Sequence, residues 1–326
     1  MHCPKLTVLM SVYNGQQYLA QAIESILEQT FEDFEFLIIN DGSTEPVGKI
    51  ISSNKDDRIV LVNQENVGLT RSLNRGLALA RGVYVARMDS DDISMRTRLQ
   101  AEVAELEADE NLDLVGSFFD MVDEHGNLIE RKELILDPIY RLWRLQFHNN
   151  YGHGSVMFRK DSVKAAGMYD EKLRYAQDYD LWSRLTMKSN TKVIPEFLYQ
   201  YRMVSRGGQA SVANYDAQLL NAIRVSNRSL MACNPSLTET DCEELRALYW
   251  RFQRDFSSPN GLAALPKTVE GFCRRFDISG VEKSGLVRQV IQDALEEVGK
   301  VDPALSGDWR DTVEELEKYE RTFRIN

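Results

Sequence analysis

The chain has 326 residues, 43% of them hydrophobic and 27% charged, the balance of an ordinary globular protein with ample material for a core. Its 39 Lys+Arg against 50 Asp+Glu leave a net charge of −11, which argues against nucleic acid as a partner held by phosphate neutralisation. No apolar run reaches the length of a membrane span and the N-terminal stretch is too short for a signal peptide, so a cytoplasmic protein is expected; the four scattered cysteines, none in a C-x-x-C pair, fit a reducing compartment without structural zinc.

In chain order, LTVLMSV (6–12) reads as a fully buried strand, followed by helical spacing at Leu19, Ala22, Ile23, Ile26 and Leu27. FEFLIIN (34–40) is the next strand, then a short helix through Ile50 and Ile51, then RIVLVN (58–63). A helix from about Gly68 to Ala80 leads to the strand VYVA (83–86), and another over about 93–108 follows RMDSDD (87–92). Strands separated by helices imply right-handed crossovers and a parallel sheet covered on both faces. Ligands bind such sheets beyond the carboxyl ends of the strands, where Tyr13, Asp41, Asn63 and Asp89 fall.

Further on, LDLVGSFFDMVDEHGNLI reads as a strand pair turning at His125-Gly126-Asn127, SVMF (155–158) as a short strand, DYDLWSRLTM as a helix start and TKVIPEFLYQYRM as an extended segment. After Gly207-Gly208 the strand signal stops, and four or five amphipathic helices follow, one with Leu245, Leu248, Tyr249, Phe252 and Phe256 on a single face. This tail is expected to pack as a cap on the first part or on a second copy of the chain. Acceptor binding or weak association with the inner face of a membrane is the alternative, although no basic stripe is present to meet anionic lipid.

The chemistry concentrates at strand ends. Asp89 and Asp91, spaced Asp-x-Asp around Ser90, suit a hard divalent cation, Mg²⁺ or Mn²⁺, which takes oxygen ligands and commonly binds through one or two carboxylates plus substrate phosphates. Asp92 has a plainer reading as the cap of the following helix. Ser11, Tyr13 and Asn14 in SVYN and Asp41 in NDGS end earlier strands in polar groups; with Asn66 and Arg71 of NVGLTRSLNRG they form a rim on which an acid can meet a base or ribose. Turn chemistry alone would also place Asn, Asp, Gly and Ser there, and a helix arginine such as Arg71 is more often solvated.

Taken in order, SVYN, NDGS, NVGL with Asn74-Arg75-Gly76, RMDSDD, GHGSVMFRK and QDYDLWSRL resemble the family 2 glycosyltransferases of the GT-A fold over about the first 205 residues. The resemblance implies an α/β fold with a Rossmann-like, mostly parallel central sheet flanked by helices. A catalytic domain is then expected over 1–206, with a nucleotide-sugar-binding half over 1–110 and an acceptor-side half over 111–206, followed by a helical region over 207–326. It implies inverting transfer from a nucleotide diphosphate sugar, a UDP-sugar first, to a saccharide or lipid-linked acceptor in polysaccharide or glycolipid assembly. Tyr13 and Asp41 match the base and ribose contacts, Asp89 and Asp91 the nucleotide and metal motif, and Asp178 the catalytic base, with Asp180 as the next candidate. Gln177 stands where a Glu commonly precedes the base, and MVSRGG replaces a His that often follows YQYR; Arg206 can supply a diphosphate contact there, and His153 can face the acceptor or the diphosphate. A nucleotidylyltransferase, or a non-enzymatic module holding a cation and nucleotide sugar, are the alternatives; the first lacks its glycine-rich, arginine-containing loop after the first strand.

Overall fold

The computed structural model describes residues 3–204, 214–249, 260–298 and 307–323. The chain divides into two compact units, one of residues 1–138 and 149–221, the other of residues 139–148 and 222–326. The boundary expected at 206/207 lies in a segment outside the described residues.

The first unit is built on a nine-stranded sheet. Strands β1 (Leu6–Val12), β2 (Phe34–Asp41), β3 (Ile59–Gln64) and β4 (Tyr84–Met88) pair in parallel in the order β3-β2-β1-β4. Every residue of β1 and β4 is buried, as expected of mostly apolar strands covered on both faces. Helix α1 (Gln16–Leu27) buries Leu19, Ala22, Ile23 and Ile26, α2 spans Val47–Ser53, and α3 (Leu69–Leu79) buries Leu73 and Leu77. The crossovers carry all the strand ends of this half to one edge.

Beyond β4 the sheet becomes mixed. Strand β5 (Ile93–Ser94) runs antiparallel to β9 (Asn190–Arg202), β6 (Leu112–Val122) forms a hairpin with β7 (Leu128–Lys132), and β8 (Val156–Arg159) lies antiparallel between β4 and β6. Strands β6 and β9 pair in parallel, with a slip in register at Pro195, which has no N–H to give to a ladder. Helix α4 covers only Arg98–Ala108, not 93–108. The reason is Asp92: rather than capping a helix, its buried carboxylate accepts hydrogen bonds from the Tyr199 hydroxyl (2.7 Å) and the Arg202 amide (2.8 Å), which draws residues 93–94 into the sheet beside β9. Helix α4 then starts after Thr97 and buries Leu99, Val103 and Leu106, and a short helix α6 (Lys160–Ala165) follows β8.

The second unit is helical. Residues 139–148, most of them in α5 (Pro138–Leu145), contribute Trp143 and Phe147 to a core with Leu230, Leu245, Leu265, Phe272 and Ile291. Trp143 is wholly buried, packs edge-on against Phe147, Phe272 and Tyr249, and donates its indole N–H to the Tyr249 hydroxyl at 2.9 Å. Among the described residues it also holds the part of α8 (Tyr215–Cys233) from residue 222 onward, α9 (Glu239–Ala247), α10 (Asn260–Arg275), α11 (Gly280–Val298) and α12 (Gly307–Arg321), and α9 opens on a capping box between Thr238 and Asp241. Of the apolar face read over 241–256, Leu245, Leu248 and Tyr249 are buried, whereas Phe252 and Phe256 lie outside the described residues. Cys233, Cys242 and Cys273 are buried free thiols in this unit. Among the described residues no helix is long and apolar enough to cross a membrane.

Candidate active site

The rim at the ends of β1 and β2 is tied together by its own polar groups. Asn14, left-handed at φ 58°, accepts from the amides of Thr44 (2.9 Å) and Glu45 (3.2 Å) through Oδ1 and donates its own amide to Ser43 Oγ. Asp41 accepts from Gln64 Nε2 (2.6 Å) and the amides of Val67 and Gly68 (2.9 Å each), so its carboxylate shapes the loop that carries Asn66. That loop passes so close to Gly42, at φ 71°, that a side chain there would strike the Asn66 backbone. Ser11 is buried, Asn66 is exposed, and Tyr13 is 54% exposed. Arg71 is exposed and pairs with Glu171 at 3.3 Å.

The acidic cluster is braced from beneath. Arg87, the one charged residue in β4, is fully buried and donates from Nη2 to Asp89 Oδ1 at 2.5 Å, while its Nε finds no partner. Tyr199 accepts from the Asp89 amide and donates to Asp92. Arg202 reaches the carbonyls of Asp91, Asp123 and Glu124 and the Gln21 side chain, with its guanidinium 4.5 Å over the Tyr18 ring. Gly154 makes room for this arrangement, since a Cβ there would run into the Tyr199 ring. Burial and then the charge of Asp89 push the Asp91 carboxyl up to about 6; burial and both neighbouring acids push Asp92 up as well. A divalent cation would ease the crowding of these carboxylates, and their hard oxygen donors suit Mg²⁺ or Mn²⁺. Asp91 and Asp89 therefore fit such an ion. Among the described residues no group of three or more His, Cys, Asp or Glu forms a ready-made cage, so water and phosphate oxygens would complete the coordination.

Across from the acids, α7 (Gln177–Leu185) begins after Ala176 in a left-handed conformation and is anchored by buried Leu181, Trp182 and Leu185. Asp178 accepts a hydrogen bond from Asn149 Nδ2 at 2.7 Å, and the backbone amides of Tyr179 and of its own residue favour its ionised form. Burial, reinforced by the charge of Asp89, raises its carboxyl to about 6. Asp180 is different: it is buried against Arg184, which grips its Oδ2 from Nε (2.9 Å) and Nη2 (2.7 Å) and also reaches the Met168 carbonyl. That ion pair spends Asp180 on structure. His153 Nε2 lies 2.9 Å from the Tyr169 hydroxyl, its ring set against Tyr169 and Trp182, and burial with the nearby Arg87 charge lowers it to about 3, so it is neutral. The Tyr169 hydroxyl is pushed up by burial, with Asp178 and Asp89 adding to the rise. Asp89, His153, Tyr169 and Asp178, from four separate stretches of sequence, thus share one electrostatic environment.

Several site groups were not singled out in the sequence: Asn149, Tyr169, Tyr199, Arg202 and Arg87. Only Arg87 carried a signal, as a lone cation inside an apolar strand run. Arg206 lies outside the described residues.

The family profile described as glycosyl transferase family 2 matches residues 7–165. An uncharacterized glycosyltransferase of Methanocaldococcus jannaschii is 34% identical over 218 residues, covering 65% of this chain and 75% of its own. The O-antigen biosynthesis glycosyltransferase WbnJ of Escherichia coli is 30% identical over 217 residues, 64% of this chain and 84% of its own. Among solved structures, S. aureus TarS residues 1–349 in complex with UDP-GlcNAc superposes with a TM-score of 0.59 at 17% identity, covering 98% of this chain and 92% of that one; of a longer TarS chain it spans 55%. The mannosyltransferase PcManGT of Pyrobaculum calidifontis in complex with GDP-Man and Mn²⁺ gives 0.57 at 17% identity, covering 99% and 87%. The chain belongs to the family 2 glycosyltransferases: it is a transferase with a GT-A-like α/β fold followed by a helical region.

Proposed function

We propose that the chain transfers a sugar, with inversion, from a nucleotide diphosphate sugar, a UDP-sugar first, to a hydroxyl of a saccharide or lipid-linked acceptor in polysaccharide or glycolipid assembly. The observation that carries this reading is that Asp178, a buried carboxyl raised to about 6, feels the charge of Asp89, the first acid of the Asp-x-Asp stretch at a distant strand end. A base poised near neutrality beside a site for a cation and phosphates is what glycosyl transfer needs. The acceptor oxygen attacks the anomeric carbon on the face opposite the diphosphate. The bond from that carbon to the diphosphate oxygen breaks, its electron pair leaves with the nucleotide diphosphate, and Asp178 takes the hydroxyl proton. Mg²⁺ or Mn²⁺ bound at Asp91 and Asp89 would supply positive charge to the leaving diphosphate. Tyr13 offers its exposed ring to the base, Ser11, Asn14, Asp41, Asn66 and Ser90 line the nucleotide, Arg71 and Arg206 serve the diphosphate, and His153, neutral, faces the reacting groups. The complexes of TarS with UDP-GlcNAc and of PcManGT with GDP-Man and Mn²⁺ support the donor class, and the O-antigen role in the name of WbnJ supports the setting.

A panel of UDP- and GDP-sugars, assayed with Mn²⁺ for released nucleotide and with proton NMR for the product, tests this. A β-linked product from an α-linked UDP-sugar is expected. An α-linked product rejects the single displacement.

A further inference from the structure

We propose that Asn149 is a positioning residue for Asp178: its side-chain amide fixes the plane of the carboxylate that receives the acceptor's proton and favours its ionised form. The inference rests on the reading of Asp178 as base. Asn149 Nδ2 donates to Asp178 Oδ2 at 2.7 Å, while Asn149 Oδ1 accepts from the Tyr151 amide at 3.1 Å. The second bond settles the orientation of the amide, because an NH₂ group cannot accept from an N–H; the NH₂ is therefore turned to Asp178. Tyr151 is itself anchored, its ring buried next to Gly116 of β6 and its hydroxyl bonded to Thr191 Oγ1 of β9 at 2.9 Å. The sheet thus holds one side of the carboxylate, and the amides at the start of α7 hold the other.

The charged and titratable groups that face Asp178 are Asp89, which disfavours its ionisation, and Tyr169, which stays neutral. Against burial and Asp89, the favourable contacts are two backbone amides and the Asn149 side chain. Of these, only Asn149 can be removed by substitution without altering the backbone. Losing a hydrogen bond to a charged group lowers the ionisation constant of the carboxyl about tenfold or more.

The test measures UDP released from the UDP-sugar that the wild-type chain turns over fastest, across pH 5–9, for Asn149→Ala, Asn149→Asp and Asp178→Asn, alongside UDP affinity and thermal unfolding. For Asn149→Ala the expectation is an unchanged KM for the donor, kcat at pH 7 lower by about two- to tenfold, and an acid limb moved to higher pH, so that activity recovers at pH 9. Asn149→Asp, of the same shape but with a repelling charge, should move the limb further. It also decides the matter if the alanine variant does not fold. Acid limbs that stay at the wild-type pH in both variants, with Asp178→Asn inactive, overturn the role of Asn149 alone. Full turnover by Asp178→Asn overturns the base reading and this inference together.

Discussion

Replacing Asp178 with Asn should make the protein more stable at pH 8, even as it loses activity. Burial and Asp89 lift this carboxyl from 3.8 in the free side chain to about 6 in the folded protein. A group whose folded pKa stands above its unfolded value takes up a proton on folding between the two. Its contribution is full below about pH 4 and lost as the pH rises through about 6. A rise of roughly two pH units corresponds to about 3 kcal/mol forfeited by pH 8. Asn removes the charge and keeps one acceptor oxygen, which Asn149 or the backbone amides of Asp178 and Tyr179 can use, so about 1 kcal/mol of hydrogen bonding is lost. The net gain is about 2 kcal/mol, or a Tm higher by about 4–8 °C for a unit of this size. Thermal unfolding of both proteins at pH 4.5 and pH 8, followed by tryptophan fluorescence, measures it; at pH 4.5 the two effects nearly cancel. A variant no more stable than wild type at pH 8 would refute the claim that the fold bears a cost to keep this carboxylate.

Three further outcomes follow from the same geometry. Asp91→Asn should weaken UDP binding in Mn²⁺ by roughly tenfold or more with the fold intact; calorimetry giving wild-type protein equal UDP affinity in Mn²⁺ and in EDTA would remove the cation from the account. Gly154→Ala drives a methyl into the Tyr199 ring and disturbs its bonds to Asp92 and the Asp89 amide, at about 1–3 kcal/mol; an unchanged denaturant midpoint would show that the ring has room to yield. Trp143→Ala empties the centre of the helical unit, at about 3–5 kcal/mol. Hydrogen exchange should then rise across residues 222–249 and 260–298, and unchanged protection there would contradict the packing described.

The first half of the fold was legible because β1, β2 and β4 are predominantly apolar, the pattern of strands buried on both faces, and the intervening helices show helical spacing. The start of α4 was misread because an acid before an apolar run is also what a helix cap looks like. Its true partners, Tyr199 and Arg202, stand more than a hundred residues away, and no local pattern announces them. The same distance hid the bracing of the acidic cluster by Tyr199 and Arg202. Asp178 and the Asp-x-Asp pair were visible as candidates from their positions at element ends, whereas Asn149, twenty-nine residues from Asp178, was not. The distinction between Asp178 and Asp180 could have been drawn earlier, since Arg184 stands four residues after Asp180 on the same helix face. Residues 139–148 offered a short amphipathic pattern, but nothing in it says which of two cores its tryptophan enters.

The central claim is that Asp178 takes the acceptor's proton, and turnover by Asp178→Asn with saturating UDP-sugar and acceptor tests it most directly. The account predicts a kcat lower by about 10²–10⁴ with UDP affinity close to wild type. Turnover within a few-fold of wild type would contradict it.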